Sequence, residues 1–547
     1  MNVASIFTSR TLQRLQENRG LRLLALVLSA CVFAFSLYLA WLAFTSPLEL
    51  EMREGSVWIH VLAKRAGVDI YDTARVAFVN MNHGPLDPIL KAWISRCLPA
   101  LPGHMVTRAF VLLTPIFLFA SAYKISCGHL AGALLAAGTL FLFFCHMSVL
   151  MLVGRSDATA ICGLTICGVL AHQLIVTPRR DWSQRSYVLR QLALGAASSA
   201  LFLTSSRYLP VAAALQFMVL CGQLADFDGD REPATRPLPT RRARLGAACR
   251  QLLISIGLYV GGFSAVWVSM LLFEFHGDLQ SYYQHFFGFF SAKSGWGTFP
   301  GSSFRLVPHE LVESRRDSLL FFLVLVLGGL FRLRRQPGQL IAWLAMLLAI
   351  WVSVAYGYFK NQGGGGLHYF FEFFAFAWIF ILHAFSRRNR WGGLTQLLLL
   401  SVVALVLPWQ DLVAQQKTLH EVRNRGRIFR REVAAVAGGQ RVFGEELHLF
   451  ETVYENDVVD TGDTAAAIAA SGYFGPAFGK TYQAYTRDLT SNPPKFVMVG
   501  LLDEANFGGI MSSTLRDLLR QRYKIRLIAR GVSLYNGSSQ ALLERKD

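Results

Sequence analysis

Three carboxylates, Glu49, Glu51 and Glu54, fall close together in the stretch LELEMREGSVWIHVLAKRAGVDIY. The stretch follows directly on an apolar run, Leu21 to Thr45, long enough to cross a bilayer. Glu51 and Glu54 are three positions apart, so on a helix they share one face about one turn apart. A carboxylate held there can take the proton of a hydroxyl nucleophile. Beyond them Val57, Trp58, Val61 and Leu62 recur at helical spacing, Lys64 and Arg65 follow, and Gly67 offers a stop. That pattern predicts a helix lying along the membrane interface, which would fix the carboxylates near headgroup level. Charge counting alone is equally met by a solvated acidic turn.

Other polar residues fall where apolar runs meet. LMLVGRSDATAICG places Arg155 and Asp157 between two predicted spans, and FLTSSRYLP places Arg207 between two more. YFKNQGGGGLHYFFEFF sets Lys360, His368 and Tyr369 around a glycine run, with Glu372 one turn inside the following span. Ionisable groups at membrane depth are costly and tend to be paired or functional. Asp157 also suits the start of a helix, where the dipole favours an acid. The spacing of His368 and Glu372 allows an i,i+4 pair. Cationic and hydroxyl donors grouped near a membrane surface are what an anionic lipid headgroup such as a phosphate requires.

The elements that must position these residues are set by composition. The chain has 547 residues, 53% hydrophobic and 16% charged, with a positive mean hydropathy, which makes it a membrane protein rather than a soluble globule. Apolar runs predict about eleven transmembrane helices: Leu21 to Thr45, Arg108 to Tyr123, Leu130 to Met147, Ala158 to Val176, Leu189 to Thr204, Leu209 to Leu224, Leu252 to Phe273, Leu319 to Leu333, Gln339 to Tyr358, Tyr369 to Phe385 and Leu394 to Trp409. The excess of basic residues, net charge +18, gathers before the first run and after the fourth, sixth, eighth and tenth. Alternating spans put all of these on one side, which the positive-inside rule makes cytoplasmic. The distribution argues against a nucleic-acid partner, because no basic stripe is interleaved with exposed aromatics. The acidic loop, Arg155–Asp157, Arg207 and the glycine-run loop then share the opposite face, and the aromatic loop from His276 to Asp317 could cover a site there.

An odd number of spans sends the C-terminus to that same face. From 410 to 547 the pattern turns soluble: an amphipathic stretch from Val413 to Ala437, then RVFGEE, DVVDTGD and KFVMVGLLD as short strands, and a helical STLRDLLRQRY. This predicts a small α/β domain after a membrane domain of residues 1–409. Its carboxylates Glu445, Asp460 and Asp463 read as solvated surface. The tail has no cysteine, so no disulfide staples it. There is no internal repeat, no Gly-rich phosphate loop and no dinucleotide fingerprint.

At these residues the chain resembles the GT-C superfamily of integral-membrane glycosyltransferases, which take sugars from polyprenyl-phosphate carriers. The likeness rests on the acidic pair after the first span followed by AGVDIY, on NMNHGPLDPILKAW before a second interfacial helix, on GRSD opening the fourth span, and on many spans followed by an outer α/β domain. The superfamily's Asp-Glu reads Arg53-Glu54 here, with Glu51 one turn earlier, so either Glu54 or Glu51 takes the catalytic position. The resemblance implies an inverting glycosyltransferase in the inner (plasma) membrane of a bacterium. Its N-terminus would be cytoplasmic and its tail domain periplasmic, and a lipid-phosphate sugar would be the donor to a glycan, lipid or protein hydroxyl. It implies that Glu54 or Glu51 is the general base and that Asp157 orients the acceptor or helps to bind a cation. Arg155, Arg207, His83, Lys360, His368 and Tyr369 would serve substrate and its phosphate. Two outer carboxylates could share a divalent metal; the sequence does not require one. Two other readings share the architecture: a ligase or oligosaccharyltransferase using a lipid-linked oligosaccharide, and a transporter or flippase.

Overall fold

The computed structural model describes residues 18–51, 54–65, 67, 69–71, 84–126, 128–177, 183–229, 241–283, 309–334, 336–360, 367–386, 402–403, 407–438, 440, 442–445, 458–459, 491, 493–501, 503–507, 513–534 and 537–546. The chain is a polytopic helical membrane protein with a small C-terminal sheet. Helix α1 (Arg19–Phe44) starts at Asn18, whose side chain caps Leu21 N–H at 3.1 Å. Three short helices follow, α2 (Glu54–Arg65), α3 (Leu86–Cys97) and α4 (Gly103–Thr107). The bundle continues through α5 (Ala109–Ile125), α6 (Leu130–Met147), α7 (Ser156–Val176), α8 (Gln184–Thr204), α9 (Leu209–Gly229) and α10 (Arg241–Glu274). After α11 (Leu279–Tyr283) and α12 (His309–Ser314) come α13 (Arg316–Leu333), α14 (Pro337–Lys360) and α15 (Phe371–Ser386).

Among the described residues, seven helices are long and apolar enough to cross a membrane: Arg19–Phe44, Gly103–Ile125, Leu130–Met147, Ser156–Val176, Gly246–Glu274, Pro337–Tyr358 and Leu367–Phe385. Helices α8, α9 and α13 occupy three more of the predicted spans, and the apolar part of α13 runs only from Phe322 to Leu333. The predicted eleventh span, Leu394 to Trp409, falls mostly outside the described residues.

Helix α6 lies at the centre, its Phe143 packed on Phe322 of α13 and Phe374 of α15 with ring centroids 4.8 and 4.7 Å apart. Phe144 meets Phe371 at 5.0 Å, so an aromatic plug underlies the start of α15. Helices α8 and α10 approach through glycine: a Cβ on Gly195 would overlap the backbone of Tyr259, and one on Gly262 the backbone of Leu192. Small residues draw membrane helices together because lipid supplies no hydrophobic force between them.

Helix α16 (Trp409–Ala437) buries Leu412, Leu419, Val422, Gly426, Phe429, Val433 and Ala437, a stripe of helical period, and ends at Gly438 with φ 53°. Gly426 packs on Pro47 and Leu48, just past the end of α1. The sheet has the order β2-β1-β3-β5-β4, with β1 (Val442–Glu445), β2 (Val458–Val459), β3 (Phe496–Leu501), β4 (Tyr523–Ala529) and β5 (Ser539–Arg545). β1 pairs in parallel with β2 and β3, while β5 runs antiparallel to both β3 and β4. β3 is buried except at Gly500, as an apolar run inside a covered sheet must be. Helix α17 (Ser513–Arg522) leads into β4. The sheet stands at the end of the bundle where α1, α6 and α8 finish and α5, α7, α9 and α15 begin, hereafter the sheet side.

Candidate active site

The sheet side carries two clusters of buried charge. The first is built around Arg108, the residue before α5, which is fully buried. Its Nη1 donates to the carbonyls of Ala43 (2.9 Å) and Ser46 (2.5 Å), and its Nη2 to that of Leu48 (2.6 Å). Nε and Nη2 also reach Glu54 Oε1 and Oε2 at 2.7 and 2.5 Å. Glu54 opens α2 and is itself fully buried. It accepts two backbone N–H groups as well, Gly154 at Oε1 (2.5 Å) and Leu50 at Oε2 (2.7 Å). An ionised carboxylate offers about four lone-pair sites, so four donors saturate it.

Gly154 is held from its other side too. Lys91 Nζ donates to the Gly154 carbonyl at 2.9 Å and to Asp87 Oδ2 at 2.8 Å, both residues lying one turn apart on α3 and fully buried. Thr159 Oγ1, on α7, donates to Asp87 Oδ1 at 2.5 Å. A Cβ at Gly154 would overlap Thr107 Cγ2 and crowd Glu54 Oε1, so the close approach needs glycine there. The first loop and the GRSD turn are thereby fastened together through Glu54, Lys91 and Asp87.

The second cluster begins one residue later. Arg155, N-cap of α7, is 9% exposed, and its Nε has no hydrogen-bond partner. Asp157 lies in the first turn of α7, where the helix dipole favours it, and accepts from Arg207 Nη2 at 2.5 Å. Arg207 Nε is 3.3 Å from Glu372 Oε1, and its guanidinium lies 4.8 Å from the Tyr369 ring centre. The cation between Asp157 and Glu372 is therefore an arginine. Burial opposes charge on Arg207, but Asp157 and then Glu372 outweigh it and keep the guanidinium protonated. Tyr208 is fully buried with an unpartnered hydroxyl; burial first, then Asp157 and Glu372, pushes its pKa well above the usual phenol range, so it stays a neutral donor. Of the charged pair, Arg207 keeps 23% of its side chain accessible against 2% for Asp157, so the opening of this cluster is on the arginine side.

The predicted residues distribute as follows. Glu54, Arg155, Asp157, Arg207, His368 and Tyr369 converge on the sheet side, though they come from four separate loops. Glu51 is buried at the bend before α2, and its carbonyl accepts Glu54 N–H at 3.1 Å. His368 sits in a 3₁₀ turn (Leu367–Phe370) with its ring 4.6 Å from that of Tyr369. Because that turn interrupts the helix, the partner described for Glu372 is Arg207 from another junction. Lys360 closes α14. His83, Asp460 and Asp463 lie outside the described residues, as does most of the aromatic loop. Sequence reasoning missed Arg108, which reads only as the edge of a span, and Tyr208. It also missed Asp87 and Lys91, whose acid-then-base i,i+4 spacing just after Pro85 is a recognisable helix signature. Among the described residues no three His, Cys, Asp or Glu side chains group to hold a metal ion.

No protein-family model and no curated protein matches the chain. Among solved structures it is similar to ArnT from Cupriavidus metallidurans. The form bound to undecaprenyl phosphate has a TM-score of 0.50 at 12% identity, covering 94% of this chain and 97% of that one. The apo form scores 0.49 at 12% identity over 94% and 97%. The oligosaccharyltransferase AglB from Archaeoglobus fulgidus, in complex with an inhibitory peptide and a dolichol-phosphate, scores 0.42 at 11% identity over 87% of this chain and 69% of that one. The chain has the GT-C fold, that of polytopic membrane proteins.

Proposed function

We propose that this protein is an inverting glycosyltransferase moving a sugar from a polyprenyl-phosphate donor to an acceptor hydroxyl on the extracytoplasmic face. The observation that carries the reading is Arg155: a buried guanidinium that has no carboxylate partner among the described residues and an unpartnered Nε, two residues before the Asp157 that pairs with Arg207. An unpaired buried cation is costly, and an anion from outside the chain removes that cost. The fold is shared with a protein solved bound to undecaprenyl phosphate. A lipid phosphate meets the need of Arg155, with Arg207 and the Tyr208 hydroxyl as further donors and His368, Tyr369, His83 and Lys360 as outer candidates.

In the reaction the acceptor oxygen attacks the anomeric carbon and the bond from that carbon to the phosphate oxygen breaks. Polyprenyl phosphate leaves with the bonding pair, and the hydroxyl proton passes to a carboxylate. We assign that carboxylate to Glu51. Glu54 has its four lone-pair sites occupied by donors, which leaves none facing an acceptor hydroxyl and makes it an anchor. Arg207 stabilises charge developing on the departing phosphate, and Asp157 orients Arg207. In a bacterial cell the site would face the periplasm.

Purified protein in liposomes, given synthetic polyprenyl-phosphate sugars and hydroxyl acceptors, should release polyprenyl phosphate. Glu51→Gln should slow that release by about 10²–10⁴-fold, the usual worth of a general base, with the folded yield unchanged. Unchanged turnover in Glu51→Gln would remove the base assignment. Lipid crossing the bilayer with its sugar bond intact would replace transfer by flipping.

A further inference from the structure

The backbone on which Glu51 rides is held by the C-terminal domain. Leu50, the residue before it, has both of its backbone groups committed. Its N–H goes to Glu54, as described, while its carbonyl accepts Leu534 N–H at 2.9 Å and Ser533 Oγ at 3.2 Å. Ser533 and Leu534 belong to the turn between β4 and β5, where Ser538 C=O accepts Val532 N–H at 3.0 Å and Gly537 N–H reaches Ser533 at 3.1 Å. Two residues into β5, Gln540 donates its side-chain amide to Glu49 Oε2. Glu49 is 2% exposed and Gln540 5%, so this contact is sealed from solvent. Gly426 of α16 closes on Pro47 and Leu48 from the same domain. Within five residues, 46 to 50, Arg108 takes the carbonyls of Ser46 and Leu48 from the membrane side, and the turn takes that of Leu50 from the sheet.

We infer that Gln540 and the Ser533–Leu534 turn are positioning residues for catalysis: the sheet domain sets the base carboxylate, so the active site is assembled from both parts of the chain. This rests on the reading of Glu51 as the base. The chemistry of the clamp fits such a task. A side-chain amide donated to a buried carboxylate holds Glu49 in place against β5. Two donors on one carbonyl fix the orientation of the peptide from which Glu51 projects. A displacement of about 1 Å in a reacting group is worth up to about 10²-fold in rate.

The test uses the full-length protein in liposomes. Gln540→Leu should lower kcat about tenfold while the donor KM moves less than about twofold, because the arginine cluster is untouched. Ser533→Ala, which spares the Leu534 amide, should lower kcat about threefold and guards against misfolding of the first variant. Hydrogen exchange of the segment 46–51 should quicken about tenfold in Gln540→Leu, a readout independent of turnover. Arg530→Gln breaks only the exposed Arg530–Glu504 pair of the same domain and should change none of these. If exchange in 46–51 and kcat both match wild type in both clamp variants, the clamp does not position the base. If exchange quickens but wild type shows no transfer from any lipid-phosphate sugar, it is the transferase reading that fails.

Discussion

Gly154 and Arg155 are neighbours in sequence and belong to opposite kinds of buried charge. The cluster that includes Gly154 is closed: Glu54 has four donors, Arg108 has five acceptor contacts, and Lys91 and Asp87 hold each other and their neighbours. The cluster that includes Arg155 is open, with a guanidinium Nε and a Tyr208 hydroxyl that make no hydrogen bond. Burial is costly in both, but only the first recovers that cost from within the chain. The first network is complete within the chain, whereas the second leaves donors for a water or a ligand to meet.

The largest expected effect breaks the closed cluster. Arg108→Met leaves Glu54 buried without its cation and strips three carbonyls of their donor, so unfolding in detergent should become easier by about 3–5 kcal/mol. Glu54→Gln with Arg108→Met removes both charges, and the double variant should be more stable than Arg108→Met alone. A double-mutant cycle of unfolding free energies measures the coupling, and additivity of the two changes would mean the pair does not act as a unit.

The opposite sign is expected at the neighbouring position. Arg155→Gln relieves an unpaired buried charge, so its melting temperature should hold or rise by the equivalent of about 1 kcal/mol. Polyprenyl-phosphate affinity should fall by about 10- to 100-fold, the range for losing a charge-assisted hydrogen bond. Lower stability together with unchanged phosphate binding would make Arg155 part of the scaffold. Between these two falls Gly154→Ala. A new Cβ would overlap Thr107 Cγ2, so the turn must shift, at about 1–3 kcal/mol. Because the turn carries Arg155, phosphate binding should weaken along with stability, and a change in only one of them would uncouple the clusters.

How far this contrast was legible in the sequence follows from the sequence separation of its contacts. The apolar periods placed ten of the eleven predicted spans on helices, and the alternation of short apolar runs marked β1, β2, β3 and α17. Alternating spans were enough to bring Glu54, Arg155, Arg207 and Tyr369 to one end, because topology alone decides which loops share a face. Saturation was not legible. Glu54 meets Arg108 across 54 residues and Gly154 across 100, and Asp87 meets Thr159 across 72, with nothing in the spacing to announce any of them. The clamp from Ser533 to Leu50 spans 483 residues. A sequence shows that a carboxylate is present, and only the packed chain shows whether its lone pairs are spent.

His60 adds a third way of managing a buried titratable group, and the smallest expected effect. It lies on α2 between Glu54 and Lys64, 5% exposed, and burial, with Lys64 adding to it, pushes its pKa down to about 3. The imidazole is thus neither saturated with charge nor waiting for an ion; it is kept neutral. The folded value lies below the value near 6.5 of an unfolded chain, so the unfolded state takes up the proton first as pH falls. The stability contribution is complete above about pH 6.5 and declines on acidification toward about pH 3. One proton gives a slope of about 1.4 kcal/mol per pH unit, so stepping from pH 7.5 to 5.5 should cost wild type about 1.4 kcal/mol more than His60→Gln. Unfolding of both proteins in detergent at the two values measures that difference. An equal loss in the two would mean that His60 is solvated or carries its proton in the folded state, and α2 would then sit less deeply than the closed cluster at its start requires.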